Sequence, residues 1–465
     1  MAEETRGAER GGFSRRAFLA AGGAFVAGSA LPARAARSED PPPDPKKAEA
    51  PPPSVPAPAI RRLRKLGRTG FEASDVSLGG IPNDAAVVKY AIERGINYFD
   101  TAEGYGNGDA ERKIGEAIQG IDRKKIFVTT KLLVADEETE QSILDRFAKC
   151  QERLRTPHAD ALFLHAVSNA ALVKHEGFHS AVRKLRADGR LRFAGISSHG
   201  PRGREGDSME KVLCAAAEDG RFDLMLLVYN FLQKEEGEKV LAACKAKSVG
   251  TTAMKSSPAP LKVDPFDPEN PTGDYADALK NMKERGLSQE EAIARIRRWV
   301  KETEDSIEKS RPFVQRHGIA DEQQLRLVAL KWVLANPDMH TVCMGLEDFD
   351  SVDRFVSASG TSLDRAEAGF LEDYRLSLGN MYCRHACTAC SGACPHGVPV
   401  STILRYASYF QHQGRERLAM RKYARLGGRD GSLCLTCAGS CRAACPHGFP
   451  IQAGLVRAHS LLSLA

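Results

Sequence analysis

Eight segments with the character of β-strands alternate with eight amphipathic helical segments between about residues 60 and 375. The predicted strands are VSLGG, INYFDTA, IFVTTKL, DALFLHA, LRFAGISS, FDLMLLVYN, GTTAMKS and HTVCMGL. Helical periodicity follows each strand, as in SILDRFAKCQERL and QQLRLVALKWVLAN. Eight consecutive βα units predict an α/β fold with a closed (β/α)8 or TIM barrel, whose active site lies at the carboxyl ends of the strands.

A long insertion interrupts the seventh unit of this pattern. About 55 residues, running through Pro258 to Arg316, separate the seventh predicted strand from its helix. Because the chain leaves that strand at its carboxyl end, we expect the insertion to cover or narrow the barrel mouth.

The ends of three consecutive predicted strands carry polar side chains. Asp100 ends the second strand, Lys131 the third and His165 the fourth, and Tyr105 follows Asp100 by five residues. Singly, such residues are commonly turn caps or solvated side chains. Because the carboxyl ends of all the strands meet at one mouth, we expect the four to form one site.

These four side chains suit proton transfer to a carbonyl oxygen. Reduction of a carbonyl by hydride transfer produces an alkoxide, which needs a proton and a cationic environment. The phenol of Tyr105 is a weak acid, and the adjacent ammonium of Lys131 would lower its pKa. Asp100 would fix and balance that ammonium, and His165 would orient the substrate oxygen.

Eight of the twelve cysteines form two quartets near the C-terminus, each ending in the sequence Cys-Pro-His-Gly. The quartets are Cys383, Cys387, Cys390 and Cys394, followed by Cys434, Cys437, Cys441 and Cys445. Short cysteine spacings that end in Cys-Pro are typical of iron-sulfur ligands, because one loop supplies several thiolates and proline keeps the last one in extended backbone. Eight thiolates suit two [4Fe-4S] clusters.

Two other interpretations of the quartets stay open, namely two zinc sites and four disulfides. The gaps read x3-x2-x3 and x2-x3-x3. Each differs by one residue from the x2-x2-x3 run of bacterial ferredoxins, in which the fourth cysteine binds the other cluster. The sequence therefore predicts eight ligands, but not how they divide between two clusters.

The N-terminus carries Ser14-Arg15-Arg16-Ala17-Phe18-Leu19, then a short run of small and apolar residues that ends at Ala33-Arg34-Ala35. This arrangement resembles a twin-arginine signal peptide. The apolar run is shorter than the about 18 residues of a spanning helix, so we expect no membrane span in the mature chain. That export route carries folded proteins, which suits clusters inserted beforehand, and it predicts a periplasmic or otherwise exported location.

The composition, 42% hydrophobic and 27% charged residues, is that of a globular protein, and 465 residues exceed one ordinary domain. The formal net charge of +6 comes without a basic stripe interleaved with aromatic residues. We therefore expect no nucleic-acid partner. A proline-rich segment, PPPDPKKAEAPPPSVPAPA, precedes the first predicted strand and is expected to be extended.

The central region resembles the aldo/keto reductases over about residues 60–375. FDTAEGYG is similar to the family's Asp and Tyr motif, TTKL to its Lys strand, FLHA to its His strand, GRLRFAGIS to its fifth strand and ALKWVLANP to its seventh helix. The resemblance implies that Tyr105 is the catalytic acid, that Lys131 and Asp100 tune it, and that His165 orients the substrate. The cysteine-rich tail resembles the iron-sulfur extension of one branch of this family.

The resemblance also implies a site for the nicotinamide cofactor NAD(P)H. We expect five residues to contact it: Ser197, Ser198, Met254, Lys255 and Gly345. Some of the family's usual contacts are replaced, since Leu226 stands where a glutamine is common and Glu347 follows strand eight, where a basic residue commonly holds the 2′-phosphate. NAD(P)H is therefore one alternative electron source beside the two predicted clusters.

The sequence thus divides into a signal peptide (1–35), a proline-rich linker (36–59), a barrel (60–375) and a small, mainly helical, ferredoxin-type iron-sulfur domain (376–465). Two functions agree with this organisation. The first is an exported oxidoreductase that acts on a small carbonyl or alcohol at the four polar residues and exchanges electrons, through its clusters, with a redox partner protein. The alternative is an electron-transfer or scaffold protein whose barrel no longer binds nicotinamide.

Overall fold

A computed structural model of the protein describes residues 57–201, 206–257, 266–271, 273–317, 322–412 and 415–463. The predicted signal peptide and most of the predicted linker lie outside these residues. So do the first residues of the predicted insertion, 258–265.

Ten β-strands occur in the described residues. They are β1 Leu63–Lys65, β2 Glu72–Ser74, β3 Val76–Gly79, β4 Tyr98–Asp100, β5 Phe127–Leu132, β6 Ala159–Leu164, β7 Leu191–Ser198, β8 Leu224–Val228, β9 Gly250–Met254 and β10 Thr341–Met344. Strands β3 to β10 form a closed parallel barrel, in which β10 pairs with both β9 and β3. The predicted (β/α)8 barrel is therefore confirmed.

The strand register brings the predicted site residues to one end of the barrel. Asp100, at the end of β4, pairs with Thr129 on β5, and Lys131 pairs with Phe163 on β6. Side chains two residues apart on a strand share a face. Lys131 therefore follows Thr129 on one face of β5, and His165 follows Phe163 on one face of the next strand, toward the barrel mouth.

Fourteen α-helices occur in the described residues. They are α1 Ala85–Glu93, α2 Asp109–Ala117, α3 Glu140–Leu154, α4 Glu176–Ala187, α5 Met209–Asp219, α6 Glu235–Ala246, α7 Gly273–Glu284, α8 Gln289–His317, α9 Glu322–Leu334, α10 Phe349–Val356, α11 Arg365–Leu378, α12 Val400–His412, α13 Glu416–Ala424 and α14 Ile451–Leu462. None of these described helices combines the length and apolarity needed to cross a membrane.

Helix α3 illustrates why the barrel helices form where they do. The Thr139 hydroxyl caps its first turn by accepting a hydrogen bond from the Ser142 N–H at 3.3 Å. Its buried residues recur at helical spacing, as Ile143, Phe147 and Leu154 do, so one face of the helix packs on the barrel.

The antiparallel hairpin of β1 and β2 lies at the opposite end from the predicted site. Leu66, directly after β1, is fully buried. A methyl group on Gly250 would come within 3.1 Å of the Leu66 side chain and 2.6 Å of Leu224. Because Gly250 and Leu224 are the first residues of β9 and β8, the hairpin packs at the amino-terminal end of the barrel.

The insertion and the C-terminal segment, which is described over residues 376–412 and 415–463, share one hydrophobic core. Buried residues of α7 and α8, such as Met282 and Trp299, cluster with residues of the C-terminal segment such as Ile403 and Leu455. The sequence predicts that the insertion narrows the barrel mouth. The described helices of the insertion pack on the C-terminal segment, which lines the cavity at the mouth, and the prediction for residues 258–265 falls outside the described residues.

Candidate active site

A cavity of about 470 Å³ lies at the carboxyl ends of the barrel strands. Asp100, Tyr105 and His165 line it from the barrel side, and Lys131 is fully buried beneath them. Helices α12 and α13 line the other side. The volume is typical of a site for a small molecule.

The ammonium of Lys131 is held in place by β4. It donates hydrogen bonds to a carboxylate oxygen of Asp100 and, at 2.7 Å, to the carbonyl oxygen of Thr101. The Thr129 hydroxyl donates to the other carboxylate oxygen at 3.2 Å. Burial lowers the pKa of Lys131, but the charges of Asp100 and Tyr105 outweigh burial, so that the pKa lies above its usual value. Lys131 is therefore a cation throughout the neutral pH range.

Tyr105 lies between that ammonium and His165, which follows β6. Nζ of Lys131 is 4.9 Å from the centroid of the Tyr105 ring. The His165 ring meets Tyr105 edge-on, with centroids 5.8 Å apart and planes at 77°. Burial raises the pKa of Tyr105, and the charge of Lys131 opposes that rise without cancelling it. The sequence predicts a lowered pKa, and the structure differs because the phenol is enclosed by protein.

His165 is positioned by the barrel ladder. The backbone N–H of His165 donates a hydrogen bond to the Leu132 carbonyl oxygen at 2.9 Å, and this bond continues the pairing of β5 and β6. The next residue, Ala166, has a left-handed backbone with φ of 53° and also lines the cavity. Such a conformation costs a non-glycine residue about 1–3 kcal/mol and is common at functional sites. The turn leaves the imidazole at the cavity wall.

Comparison with known proteins identifies the family. A family model with the description "Aldo/keto reductase family" matches residues 82–373 of this chain. This chain belongs to that family. Over 157 residues it is 31% identical to "Probable aldo-keto reductase 1" from Glycine max, covering 30% of this chain and 45% of that protein. Over 360 residues it is 24% identical to "Aldo-keto reductase AFTS1" from Alternaria alternata, covering 66% and 90%.

Among solved structures, the aldo-keto reductase AKR11C1 from Bacillus halodurans (holo form) is 20% identical, with a TM-score of 0.46. The match covers 70% of this chain and 99% of that one. The family match and the reductases named among its relatives identify the protein as an aldo/keto reductase-like oxidoreductase.

Only some of the residues predicted to bind nicotinamide reach the cavity of this aldo/keto reductase. Met254, Lys255 and Gly345 line it. The Ser197 hydroxyl instead accepts a hydrogen bond from a backbone N–H at 2.8 Å, and the Ser198 hydroxyl donates to a backbone carbonyl at 2.7 Å. Both serines are buried and hold the loop that follows β6.

Three further positions bear on the binding of a nicotinamide dinucleotide. They are Leu226, Glu347 and Phe355, and the family resemblance implies an asparagine at the last of them. Leu226 lines the cavity with a side chain that has no hydrogen-bonding group. Glu347 also lines it, and burial raises its pKa although Arg326 and Arg415 oppose that rise. Phe355 is fully buried, with the Arg326 guanidinium 5.2 Å from its ring centroid. These three positions leave the contacts expected for NAD(P)H incomplete.

The C-terminal segment brings three tyrosines to the cavity, Tyr382, Tyr406 and Tyr409, and the role of Tyr409 was not predicted from the sequence. Nζ of Lys255 donates to the Tyr409 hydroxyl at 3.1 Å and lies 4.5 Å from its ring centroid. Burial raises the pKa of Tyr409, but the charges of Lys255 and Arg405 outweigh burial and lower the pKa to about 7. Lys255 itself has a left-handed backbone, with φ of 58°. A mixed aromatic and basic stretch, RYASYF, was the only signal in the sequence.

The last cysteine of each quartet lies near the first cysteine of the other quartet. Burial raises the pKa of the Cys383 thiol, and the neighbouring thiols of Cys387, Cys390 and Cys445 raise it further. The pKa of the Cys434 thiol is raised by burial first, and then by three other neighbouring thiols. Those neighbours are Cys441, Cys394 and Cys437. Each of these groups therefore joins three cysteines of one quartet to the final cysteine of the other.

Polar side chains fix the loop of the second quartet. Gln452, almost fully buried, donates to the carbonyl oxygens of Cys434 and Cys437 at 2.8 and 2.9 Å. Arg295 on α8 also donates to the Cys437 carbonyl oxygen, at 2.7 Å. Arg442 forms an ion pair with Glu302 on the same helix. The insertion therefore braces the loop that carries the second set of thiols.

The spacing of the thiols bears on what they can bind. No disulfide joins any of the twelve cysteines, all of which lie in the described residues. Within the described residues, no three Cys, His, Asp or Glu side chains are grouped closely enough to hold one metal ion.

Proposed function

We propose that the protein interconverts a carbonyl compound and the corresponding alcohol at Asp100, Tyr105, Lys131 and His165. The observation that carries this proposal is the position of the buried Lys131 ammonium, bonded to Asp100 and facing the Tyr105 ring. His165 lies against the same ring and lines the same cavity. Family membership supports the same reaction class.

In the direction of reduction, Tyr105 donates a proton to the oxygen of the substrate. Its raised pKa keeps the phenol protonated at neutral pH, and the Lys131 charge stabilises the phenolate that forms. Asp100 keeps the ammonium in place, and His165 orients the substrate oxygen. In the direction of oxidation, the phenolate accepts the proton from the alcohol.

The test is a comparison of two tyrosine variants. We expect Tyr105→Phe to lower the rate of carbonyl reduction by about 100- to 10,000-fold, the usual range for loss of a general acid. Tyr90→Phe is the matched control, because Tyr90 bonds to Asp353 outside the cavity. Full activity of Tyr105→Phe would remove the acid assignment.

We also propose that the two thiol groups hold two [4Fe-4S] clusters. Cys383, Cys387, Cys390 and Cys445 would ligate one cluster, and the other four cysteines of the quartets the second. The burial of these thiols and the crossing of the final cysteines support this division. When bound, such clusters supply one-electron transfer.

Interconversion of a carbonyl and an alcohol moves two electrons, whereas each cluster passes one. The proposed function therefore includes a redox partner protein and a mediator able to take two electrons. NAD(P)H could be this two-electron mediator if the cavity bound it without the contacts expected from Ser197, Ser198 and Leu226.

The proposed location is the periplasm or another exported compartment. The Ser14-Arg15-Arg16-Ala17-Phe18-Leu19 motif, outside the described residues, supports this proposal. Replacing both Arg15 and Arg16 by lysine should keep the protein inside the cell, whereas the unchanged chain should appear in the exported fraction. Equal distribution of the two forms would contradict the proposal.

A second candidate function is electron transfer or scaffolding by a barrel that has lost catalysis. Leu226 at the cavity wall and the buried Phe355 favour it. Calorimetric titration with NADH and NADPH tests the assumption that the nucleotide site is lost, because tight binding of either would contradict it. Carbonyl reduction with an artificial electron donor would contradict the loss of catalysis itself.

A further inference from the structure

The cavity wall carries more cations than carboxylates. Five basic side chains line it, from the end of β9, from α9 and from the C-terminal segment: Lys255, Arg326, Arg405, Arg415 and Lys422. Two carboxylates, Asp100 and Glu347, line the same cavity. Since Asp100 is bonded to the buried Lys131, the wall keeps a marked excess of positive charge.

Some of the positive charge of this wall is not balanced by a carboxylate. One cation bonds to a phenol, and two buried nitrogen atoms of the wall have no hydrogen-bond partner in the described part of the chain. The Lys255 ammonium bonds to the phenol of Tyr409. Among the described residues, Nε of Arg405 and Nδ1 of His199 are buried without a hydrogen-bond partner. Arg415 reaches the end of β3, since a methyl group on Gly80 would come within 2.6 Å of its guanidinium.

These cations also repel one another. Burial lowers the pKa of Lys255, and the charges of Arg405 and Arg415 lower it further, against the influence of Tyr409. Burial, followed by the charges of Arg405 and Lys255, holds the pKa of His199 well below its usual value. Most of these cations are partly buried, and a cluster of mutually repelling cations in a cavity is typical of a site whose ligand is negatively charged.

We propose that this cationic wall binds an oxyanion of the substrate, a carboxylate or a phosphate, so that the compound oxidised or reduced at Tyr105 is an anion. The inference rests on the proposed function. Arg405 and Lys255 bind the oxyanion, and the reacting carbon lies toward the barrel side of the same cavity. Lys255 bonds to Tyr409, whose charge acts on the pKa of Tyr105, which supports their proximity to the reacting group.

A nucleotide phosphate is the other source of the same chemistry. Glu347 lies near Arg326 and Arg415, and its carboxylate would repel a phosphate held there. Leu226 offers no contact to a nicotinamide amide. These two residues favour an oxyanion of the substrate over a cofactor phosphate.

The test is calorimetric titration of the anaerobically purified, full-length holoprotein with inorganic phosphate. We expect binding at one site, weakened about tenfold or more in Arg405→Gln, since a hydrogen bond to a charged group contributes about 1.5–3 kcal/mol. Arg405→Lys, which keeps the charge, should bind within about threefold of the original protein. The exposed Arg421 on α13 provides the control, Arg421→Gln, which should bind phosphate as the original protein does.

Two further arms separate the possible outcomes. Tyr105→Phe should bind phosphate normally even though it loses turnover, so failure of the acid assignment and failure of the oxyanion site give different results. Adenosine 2′,5′-bisphosphate should bind no more tightly than phosphate. Absence of phosphate binding, or binding that Arg405→Gln leaves unchanged, would overturn the oxyanion site. Bisphosphate binding about tenfold tighter and dependent on Arg405 would overturn the assignment to substrate.

Discussion

The ammonium of Lys255 and the hydroxyl of Tyr409 are 3.1 Å apart, and this bond joins the barrel to the C-terminal segment across the cavity. Lys255 directly follows β9, and Tyr409 belongs to α12. The cysteine-rich segment is thus part of the cavity wall as well as the carrier of the thiols. Substrate recognition and any electron transfer through clusters would meet at this contact.

The Tyr409 phenol should ionise near neutral pH. Its pKa is about 7, because Lys255 and Arg405 outweigh burial. An unfolded tyrosine titrates near about pH 10, so between these values the unfolded chain binds more protons and stability rises with pH. This contribution is fully present above about pH 10 and is lost as the pH falls through about 7.

The measurement is ultraviolet titration of the phenolate in the original protein minus that in Tyr409→Phe. The difference should show one phenol that titrates near neutral pH. Lys255→Met should move that titration upward, because it removes the nearest cation. A difference spectrum that titrates only near about pH 10, the value for a free phenol, would contradict the prediction.

Removing the buried ammonium should cost both activity and stability. Lys131→Met leaves the Asp100 carboxylate buried without its cation, which typically destabilises a protein by about 3–5 kcal/mol. Adding Asp100→Asn should recover part of the stability and none of the activity. Urea unfolding and the turnover number measure the two effects separately.

The matched control is Lys113→Met on α2. Lys113 pairs with Asp109 at 2.6 Å, but both side chains are partly exposed. Loss of such a pair costs about 0.5 kcal/mol or less. If Lys131→Met were as stable as Lys113→Met, the buried pair would not have the role assigned to it.

Pairs of cysteine variants should reveal how the thiols divide between clusters. Replacing Cys383 and Cys445 together by serine should remove one cluster and about half of the iron, because both belong to one group. Replacing Cys383 and Cys394 together should disturb both clusters. Iron analysis and electron paramagnetic resonance measure the outcome, and the reverse pattern would show that each quartet binds its own cluster.

The insertion should stabilise the second thiol loop. Arg295→Met removes one of the two hydrogen bonds to the Cys437 carbonyl oxygen and leaves the one from Gln452, so it should destabilise the loop by about 0.5–1.5 kcal/mol, the net contribution of one hydrogen bond. Loss of iron under mild chelation should therefore be faster. Arg297→Met, at an exposed position on the same helix, should lose iron at the original rate. Equal rates for the two variants would contradict the bracing role.

The barrel and the meeting of its polar residues could be predicted from the sequence. Strand periodicity located β3 to β10, and the parallel arrangement then brought Asp100, Lys131 and His165 to one mouth. The raised pKa of Tyr105 could not be predicted, because it depends on how much protein encloses the phenol. The sequence places the cation of Lys131 near this phenol but does not reveal how deeply the phenol is buried.

The segment that forms the cavity wall opposite the barrel could not be predicted either. Tyr409 and Arg405 contact the cavity through packing between segments about 150 residues apart in sequence, as the bond from Lys255 to Tyr409 illustrates. No periodic pattern reports such a distant contact. The buried roles of Ser197 and Ser198 depend in the same way on the path of the loop after β6.

Native mass spectrometry of the anaerobically purified protein tests the central claim most directly, namely that one chain unites a charge-tuned phenol with two iron-sulfur clusters. The account predicts a mass increment of two clusters, each of four iron and four sulfide ions, with no bound nucleotide. The original protein and Tyr105→Phe should show the same increment. A chain free of iron and sulfide, or one that carries a zinc ion at each thiol group, would contradict it.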